Sequence, residues 1–147
     1  MYTIQKVCKA PQQSHSRFPD AAFDLIVLKS VFTHLRPDAV QNYLKETRRM
    51  LSPDGRCLGT FFLLNGQQPS GAKAAEPSIH FKFGDDDWRF AQQEMPELAI
   101  AYPESRLEEM AGSAKLHIHS KHYGYWSGRP DGLSYQDIVL FDAAGVD

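Results

Sequence analysis

The sequence lacks the features by which several classes of protein are recognised. Neither sign of charge dominates, because 16 Lys and Arg stand against 18 Asp and Glu, for a formal net charge of −2. A nucleic-acid partner is therefore not expected, since the surfaces that bind nucleic acids carry a clear excess of positive charge. No apolar run reaches the roughly 18 residues of a membrane-spanning helix, and no signal-peptide core follows Met1. The default location is the cytoplasm, without a membrane partner.

Cysteine is rare, and glycine is missing from the first third of the chain. The two cysteines, Cys8 and Cys57, have neither metal nor redox spacing, so free thiols are expected. All ten glycines lie at or after Gly55, which excludes a glycine-rich nucleotide-binding turn after an early strand. The 42% hydrophobic and 23% charged residues among 147 are typical of one globular domain.

The clearest pattern is a strand, a helix and a second strand in succession. The near-continuous apolar run Phe23–Phe32 favours a strand covered on both faces over a buried helix of the same length. Pro37 suits the first turn of a helix, and the turn sequence SPDG at 52–55 ends it. Arg56–Leu64 predicts a second buried strand. The short connections predict a right-handed crossover with the two strands parallel.

Two regions on either side of this unit have less regular patterns. Residues 1–22 are predicted to be irregular, apart from a weak strand at Tyr2–Val7. Residues 65–100 are predicted as a variable loop or lid. Within the lid, His80–Gly84 is a candidate short strand, and Asp85–Phe90 predicts a turn that leads into a helical start.

The C-terminal part predicts a helix, a strand, a loop and a strand. Pro103–Ala111 has acidic residues in its first turns, with Gly112 as the expected C-cap of the helix. Apolar and histidine side chains alternate along Lys115–Tyr123, which indicates a half-exposed strand. An aromatic loop at Gly124–Gly132 precedes the final strand, Leu133–Phe141.

Three segments in a fixed order carry a resemblance to a known family. They are FPDAAFDLIVLKSVFTHL at 18–35, YLKETRRMLSPDGRCLGTFFLLN at 43–65 and YGYWSGRPDGLSYQDIVL at 123–140. Together they resemble the C-terminal half of the class I S-adenosylmethionine-dependent methyltransferases. The resemblance implies an α/β fold with a partial Rossmann-like sheet. Its strands are equivalent to the family's fourth to seventh, and its C-terminal strand is antiparallel.

The resemblance implies S-adenosylmethionine as cofactor. The family holds it chiefly through a glycine-rich turn after the first strand and an acidic residue at the end of the second. Neither element precedes Phe23 in this sequence. Residues 1–147 are therefore expected to form a single domain truncated at its N-terminus, with methyl transfer incomplete or impaired.

The resemblance also indicates which residues face the cofactor. Lys29, Ser30, Val31 and Phe32 occupy the carboxyl end of the first strand, where ligands bind in such sheets. For Phe32, packing under the next helix is an equal alternative. His34 is the candidate catalytic base, because an imidazole pKa of about 6.5 suits proton transfer near neutral pH. Its alternative role is a backbone hydrogen bond that shapes the turn before the helix.

The aromatic loop supplies the candidate acceptor site. By resemblance, Tyr125, Trp126 and Arg129 lie on the acceptor side and are predicted to bind a small-molecule substrate. Trp126 serves equally well to close the edge of the core. The pair Gln136–Asp137 is a marker of the family, for which buried hydrogen bonding is the expected role.

Three histidines near the C-terminal end of the chain raise a further hypothesis, that of a metal site. His117, His119 and His122 form H-x-H-x-x-H, and the first two share one face of a strand. His80 and Asp85–Asp87 are the candidate additional ligands. Solvent-facing histidines are the simpler interpretation, and no metal site is predicted.

The leading function is that of a methyltransferase-like protein acting on a small molecule. The first alternative is a non-catalytic remnant that serves as an oligomerisation or binding module, and the second is a metal-binding protein. For the first two, an uncovered edge of the Phe23 strand predicts a homo-oligomer, because proteins cover such edges.

Overall fold

The computed structural model describes residues 17–66 and 75–143, and the elements below refer to these ranges. The predicted strand Tyr2–Val7, Cys8 and the middle of the loop after Asn65 lie outside them. The helices are α1 (Pro37–Met50) and α2 (Glu104–Ser113). The strands are β1 (Phe23–Leu28), β2 (Leu51–Phe61), β3 (Leu63–Leu64), β4 (Phe83–Gly84), β5 (Arg89–Phe90), β6 (Ile100–Pro103), β7 (His117–His122) and β8 (Asp137–Asp142).

The main sheet has the strand order β1-β2-β8-β7. β1 and β2 are parallel and joined through α1, as predicted, and β8 is antiparallel to both β2 and β7. This mixed sheet confirms the predicted partial Rossmann-like α/β fold. A second, small sheet with the order β3-β6-β5-β4 was not predicted.

The strand after α1 begins earlier than expected. β2 starts at Leu51 and includes the SPDG turn, which loops out as an irregularity between the pairs Phe23–Leu51 and Leu25–Arg56. The turn chemistry is therefore present, but it lies inside a strand. At the far end, Phe62 interrupts the predicted run to Leu64, so β3 leaves the main sheet and pairs with β6.

Helix α1 forms where its first and last turns suit the helix dipole. Pro37 and Asp38 lie at its start, and Arg48 and Arg49 lie in its last turn. Its buried face packs against β2 and α2, and the residues of that face are Val40, Leu44, Thr47 and Met50. Neither helix in the described ranges is long and apolar enough to cross a membrane.

Two local predictions are wrong. Gly112 lies within α2, and Lys115 adopts the left-handed conformation after the helix, with φ of 58°. Asp85–Phe90 does not begin a helix: Asp85 Oδ1 accepts hydrogen bonds from the backbone of Asp87 and Trp88, and this turn leads into β5. Pairing with β6 gives Arg89 and Phe90 an extended conformation that their sequence does not indicate.

The core lies on one face of the main sheet, beneath α1 and α2. Ile26, Leu28, Cys57, Val139 and Phe141 belong to it and are at most 6% exposed. Burial raises the pKa of the Cys57 thiol to about 12, so this thiol is protonated at neutral pH.

The opposite face of the sheet is less covered than predicted. Leu25 is 40% exposed, and Val27, Leu58, Ile138 and Leu140 are only half-buried. Within the described residues, β1 is also an edge strand. The expectation that the first strand is covered on both faces is therefore wrong for this part of the chain.

Candidate functional site

The carboxyl ends of β1 and β2 meet at one edge of the sheet, where three polar side chains converge. The backbone N–H of Ser30 donates to Thr60 Oγ1 at 2.8 Å, and both hydroxyls lie within hydrogen-bonding distance of Gln136 Oε1, at 3.2 Å and 2.6 Å. Ser30 is exposed and has φ of 55°, a conformation that non-glycine residues rarely adopt. A strained residue at a strand end is typical of a ligand-binding turn.

The other predicted cofactor residues divide between surface and core. Lys29 is exposed, and Val31 is half-buried against the main core. Phe32 is fully buried and stacks on Phe61, with ring centroids 4.6 Å apart. Of the four predicted residues, Lys29, Ser30 and Val31 are therefore at least partly accessible at this edge, and Phe32 is not.

His34 belongs to a contact between two short 3-10 turns, Phe32–His34 and Pro96–Leu98. Its Nδ1 lies 2.9 Å from the carbonyl oxygen of Glu97. Arg36 pairs with the Glu97 carboxylate at 2.7 Å, and this hydrogen bond lowers the pKa of Glu97. A carbonyl only accepts, so Nδ1 carries the proton and Nε2 is the basic nitrogen.

Asp137 is the buried junction of the site. It is 1% exposed, and its carboxylate accepts hydrogen bonds from the backbone of Leu63 (2.7 Å) and Gly124 (2.7 Å) and from Trp126 Nε1 (2.9 Å). Burial raises the pKa of Asp137, against the opposing effect of these hydrogen bonds and of the Arg129 charge. The expected role of this residue, buried hydrogen bonding, is confirmed.

A pocket of about 400 Å³ opens next to this junction. Leu64 and Asn65, which follow β2, form part of its wall, whereas Ser30, Thr60 and Gln136 are not among its lining residues. Trp126 and Arg129 line it, whereas Tyr125 is half exposed, packs against Tyr135 and is not among the lining residues. Trp126 serves both predicted roles, because it also packs against Phe62 and Phe81 in a small aromatic core.

The C-terminal histidines lie on the solvent-facing side of β7. His117 and His119 both contact the carboxylate of Asp142, at 3.3 Å and 3.1 Å, and His122 contacts Ser120. In residues 17–66 and 75–143, no group of three or more His, Cys, Asp or Glu is arranged to hold a metal ion.

Sequence reasoning missed three residues that shape the site. Thr60 connects Ser30 to Gln136, and its position at the end of the second parallel strand was the available signal. Glu97 orients His34, and Arg89 enters the pocket from β5. Both come from the region predicted as a variable lid, where no pattern singled them out.

Comparison with known proteins identifies chains of similar sequence and fold. Residues 4–59 match the family model described as a methyltransferase domain. Among solved structures, the chain is similar to 1,6-didemethyltoxoflavin-N1-methyltransferase of Burkholderia thailandensis, crystallised with 1,6-didemethyltoxoflavin and S-adenosylhomocysteine. That match has a TM-score of 0.54 and 20% identity, over 83% of this chain and 44% of the other.

Two further structures have the same fold. A S-adenosylmethionine-dependent methyltransferase of Clostridium acetobutylicum matches with a TM-score of 0.56 and 16% identity, over 92% of this chain and 64% of the other. The mitomycin 7-O-methyltransferase matches with a TM-score of 0.56 and 18% identity, over 86% of this chain and 31% of the other. The chain thus spans less than two thirds of each protein it matches. The shared fold and the sequence match confirm the resemblance to the class I S-adenosylmethionine-dependent methyltransferases.

Proposed function

We propose that this protein takes part in methyl transfer from S-adenosylmethionine to a small molecule. The observation that carries the proposal is the sheet edge at which the left-handed Ser30 meets its partners Thr60 and Gln136. A separate pocket of about 400 Å³ is lined by Leu63–Gly66, the residues that follow β2 and Phe62. Ligands of α/β sheets bind beyond the carboxyl ends of the parallel strands, which is this edge. The Burkholderia relative was crystallised with a small molecule and the demethylated cofactor, which supports the same class of reaction.

The residues at the end of β1 fit one part of the cofactor. Exposed Lys29 offers a positive charge to a carboxylate, the Ser30 hydroxyl offers a hydrogen bond, and half-buried Val31 offers an apolar contact. These groups suit the methionine end. No residue from Lys29 to His34 is acidic, so this strand end provides no carboxylate to accept hydrogen bonds from the ribose hydroxyls. We therefore assign the methionine end to these residues, and propose that self-association or another chain completes the cofactor site.

His34 is the candidate base in this scheme. S-adenosylmethionine would supply an electrophilic methyl group on positively charged sulfur: an acceptor oxygen bonds to the methyl carbon in line as the carbon–sulfur bond breaks and S-adenosylhomocysteine leaves. The hydrogen bond from His34 Nδ1 to Glu97 fixes the imidazole and leaves Nε2 able to accept the proton that a hydroxyl acceptor loses. Arg36 holds Glu97 in turn, so the orientation of the ring depends on the contact between the two short turns.

Binding of the demethylated product tests the proposal directly. We expect S-adenosylhomocysteine to give a saturable heat signal in calorimetric titration. Ser30→Gly relaxes the left-handed backbone and removes the hydroxymethyl side chain with its hydrogen bond, so it should weaken binding about fivefold, the value of one hydrogen bond. Ala21→Gly is the matched control, because Ala21 also has positive φ (51°) but precedes β1. No heat and no thermal shift at millimolar ligand would refute the proposal.

The role of His34 predicts a different change. His34→Gln retains a donor for the Glu97 carbonyl but removes the base, so methyl transfer should fall by about 10²- to 10⁴-fold. The measurement is release of S-adenosylhomocysteine in the presence of a panel of small phenols and hydroxy acids. His119→Gln, which changes an exposed histidine on β7, should leave the rate unaltered. Equal rates for the two variants would remove His34 from the mechanism.

The open side of the sheet favours a second candidate, a non-catalytic module for self-association. Leu25 is 40% exposed on a face that also carries Val27 and Leu58, and β1 is the edge strand of the described residues. Apolar strands of this kind pair with another copy or another chain. A dimer in light scattering together with failed cofactor titration would favour this function over methyl transfer.

A further inference from the structure

We propose that the pocket beside Asp137 selects acceptors that carry a carboxylate on an aromatic or other flat apolar body. The inference rests on the proposed function, because it names the class of acceptor for the same site. It is carried by the charge of the lining, by the state of Arg129 and by the apolar walls.

The lining of the pocket has a one-sided charge. Lys82, Arg89 and Arg129 line it together with His80, and no aspartate or glutamate is among the lining residues. Within residues 17–66 and 75–143, none of these three cations forms a contact ion pair. This contrasts with the surface cations Arg36 and Lys121, each of which pairs with glutamate. Three cations around one apolar cavity create a positive potential that favours an anionic ligand.

The guanidinium of Arg129 is held in place, but one of its hydrogen-bond donors has no partner. Its guanidinium stacks on the ring of Tyr123, with Cζ 4.2 Å from the ring centroid. Tyr123 is itself fixed, because its hydroxyl donates to Glu104 at 2.8 Å. The Nε of Arg129 is buried and has no hydrogen-bond partner among the described residues. Within the guanidinium the charge is thus left without compensation on the buried side, and a carboxylate that accepts from the terminal nitrogens would neutralise it.

The nearby carboxylate of Asp137 does not fulfil this need. Burial raises the pKa of Asp137 and the charge of Arg129 opposes that rise, so the two groups interact electrostatically. Yet the Asp137 oxygens accept from Leu63, Gly124 and Trp126. Arg129 therefore stabilises the buried charge of Asp137 at longer range, and the N–H donors of its guanidinium remain available to a ligand.

The remaining walls define the body of the ligand. Ile79, Phe81 and Trp126 supply apolar surface, and Trp126 is fixed by its hydrogen bond to Asp137. The volume of about 400 Å³ is near the lower end of the range for small-molecule sites, which suits a single substituted ring better than a large ligand. Leu64 and Asn65, which follow β2, also line the pocket.

Paired probes isolate the contribution of the charge. We expect 4-hydroxybenzoate to bind at least about tenfold more tightly than its neutral isostere 4-hydroxybenzamide, measured by ligand-detected NMR titration at low salt. Arg129→Gln should remove most of this preference. Lys82→Gln should reduce it and, because Lys82 is exposed, should not impair folding. The matched controls are Arg56→Gln and Lys45→Gln, which remove exposed cations outside the pocket lining.

The outcomes separate this inference from methyl transfer itself. Equal affinity for acid and amide, or a preference that survives both pocket variants, overturns the proposed acceptor class even if S-adenosylhomocysteine binds. A carboxylate preference that depends on Arg129 and Lys82 supports it even if the cofactor titration gives no heat. In that case the methyl-transfer proposal fails and the anion-selective pocket remains.

Discussion

Replacing Asp137 by asparagine should lower the free energy of unfolding by about 3 kcal/mol. Asp137 accepts from Leu63 on β3, from Gly124 in the loop and from Trp126, so it joins three segments at one buried point. An asparagine of the same shape has one acceptor oxygen, and its amide group faces at least one of these donors. The variant therefore loses a charge-assisted hydrogen bond. Its side-chain NH2 group also points at an N–H donor, in a site with 1% exposure.

The same substitution at the other end of β8 provides the control. Among the described residues, the Asp142 carboxylate makes its hydrogen bonds to the exposed rings of His117 and His119, so Asp142→Asn should cost less than about 1 kcal/mol. Urea unfolding followed by tryptophan fluorescence measures both variants. Because the indole N–H of Trp126 donates a hydrogen bond to Asp137, Asp137→Asn should also shift the tryptophan emission of the folded state. Similar losses for the two variants would contradict the role of Asp137 as a junction.

The parallel unit of the fold was predictable because its signals are local and strong. The apolar run at Phe23–Phe32 follows the turn residues Pro19 and Asp20 and contains β-branched residues, which favours a strand, and Pro37 marks the first turn of α1. The alternation along β7 likewise predicts which side chains face solvent, as the exposed His117 and His119 confirm. Where short-range pattern and long-range packing agree, the sequence suffices.

The small sheet was not predictable, since its strands exist only through distant pairing. β4 and β5 contain two residues each, too few for any periodicity, and Arg89–Phe90 becomes extended because it pairs with Ile100 and Ala101. The end of α2 shows the same limit. Gly112 was the residue with the freedom to take the left-handed position, but Lys115 takes it, because packing of Leu107 and Met110 extends the helix beyond the glycine.

The candidate site was predictable only at its edge. Lys29, Ser30 and Val31 lie at the strand end that the resemblance indicated, and Trp126 and Arg129 line the pocket. Their partners come from segments without a pattern. Glu97 is 63 positions from His34, and Arg89 reaches the pocket only because β5 joins the second sheet. The charge of the pocket, which determines its ligand class, is thus a tertiary property.

Phe32→Ala should cost about 3 to 5 kcal/mol and resolve whether this residue serves the core or the cofactor. Phe32 is fully buried and stacks on Phe61 at 4.6 Å, and a methyl group added at Gly59 would lie 2.9 Å from its ring. Removing the ring therefore leaves a cavity between β2 and α1. A core role predicts this loss in urea unfolding.

The matched truncation and a conservative variant complete the test of Phe32. Phe83→Ala removes a ring that is 36% exposed, so its cost should be below about 1 kcal/mol despite the contact with Phe90. Phe32→Leu keeps most of the apolar volume and should retain the affinity for S-adenosylhomocysteine if the ring acts only in the core. Weakened binding at unchanged stability would instead assign Phe32 to the cofactor. Because its ring lies against Gly59 and Phe61, we expect stability to change and cofactor affinity to be kept.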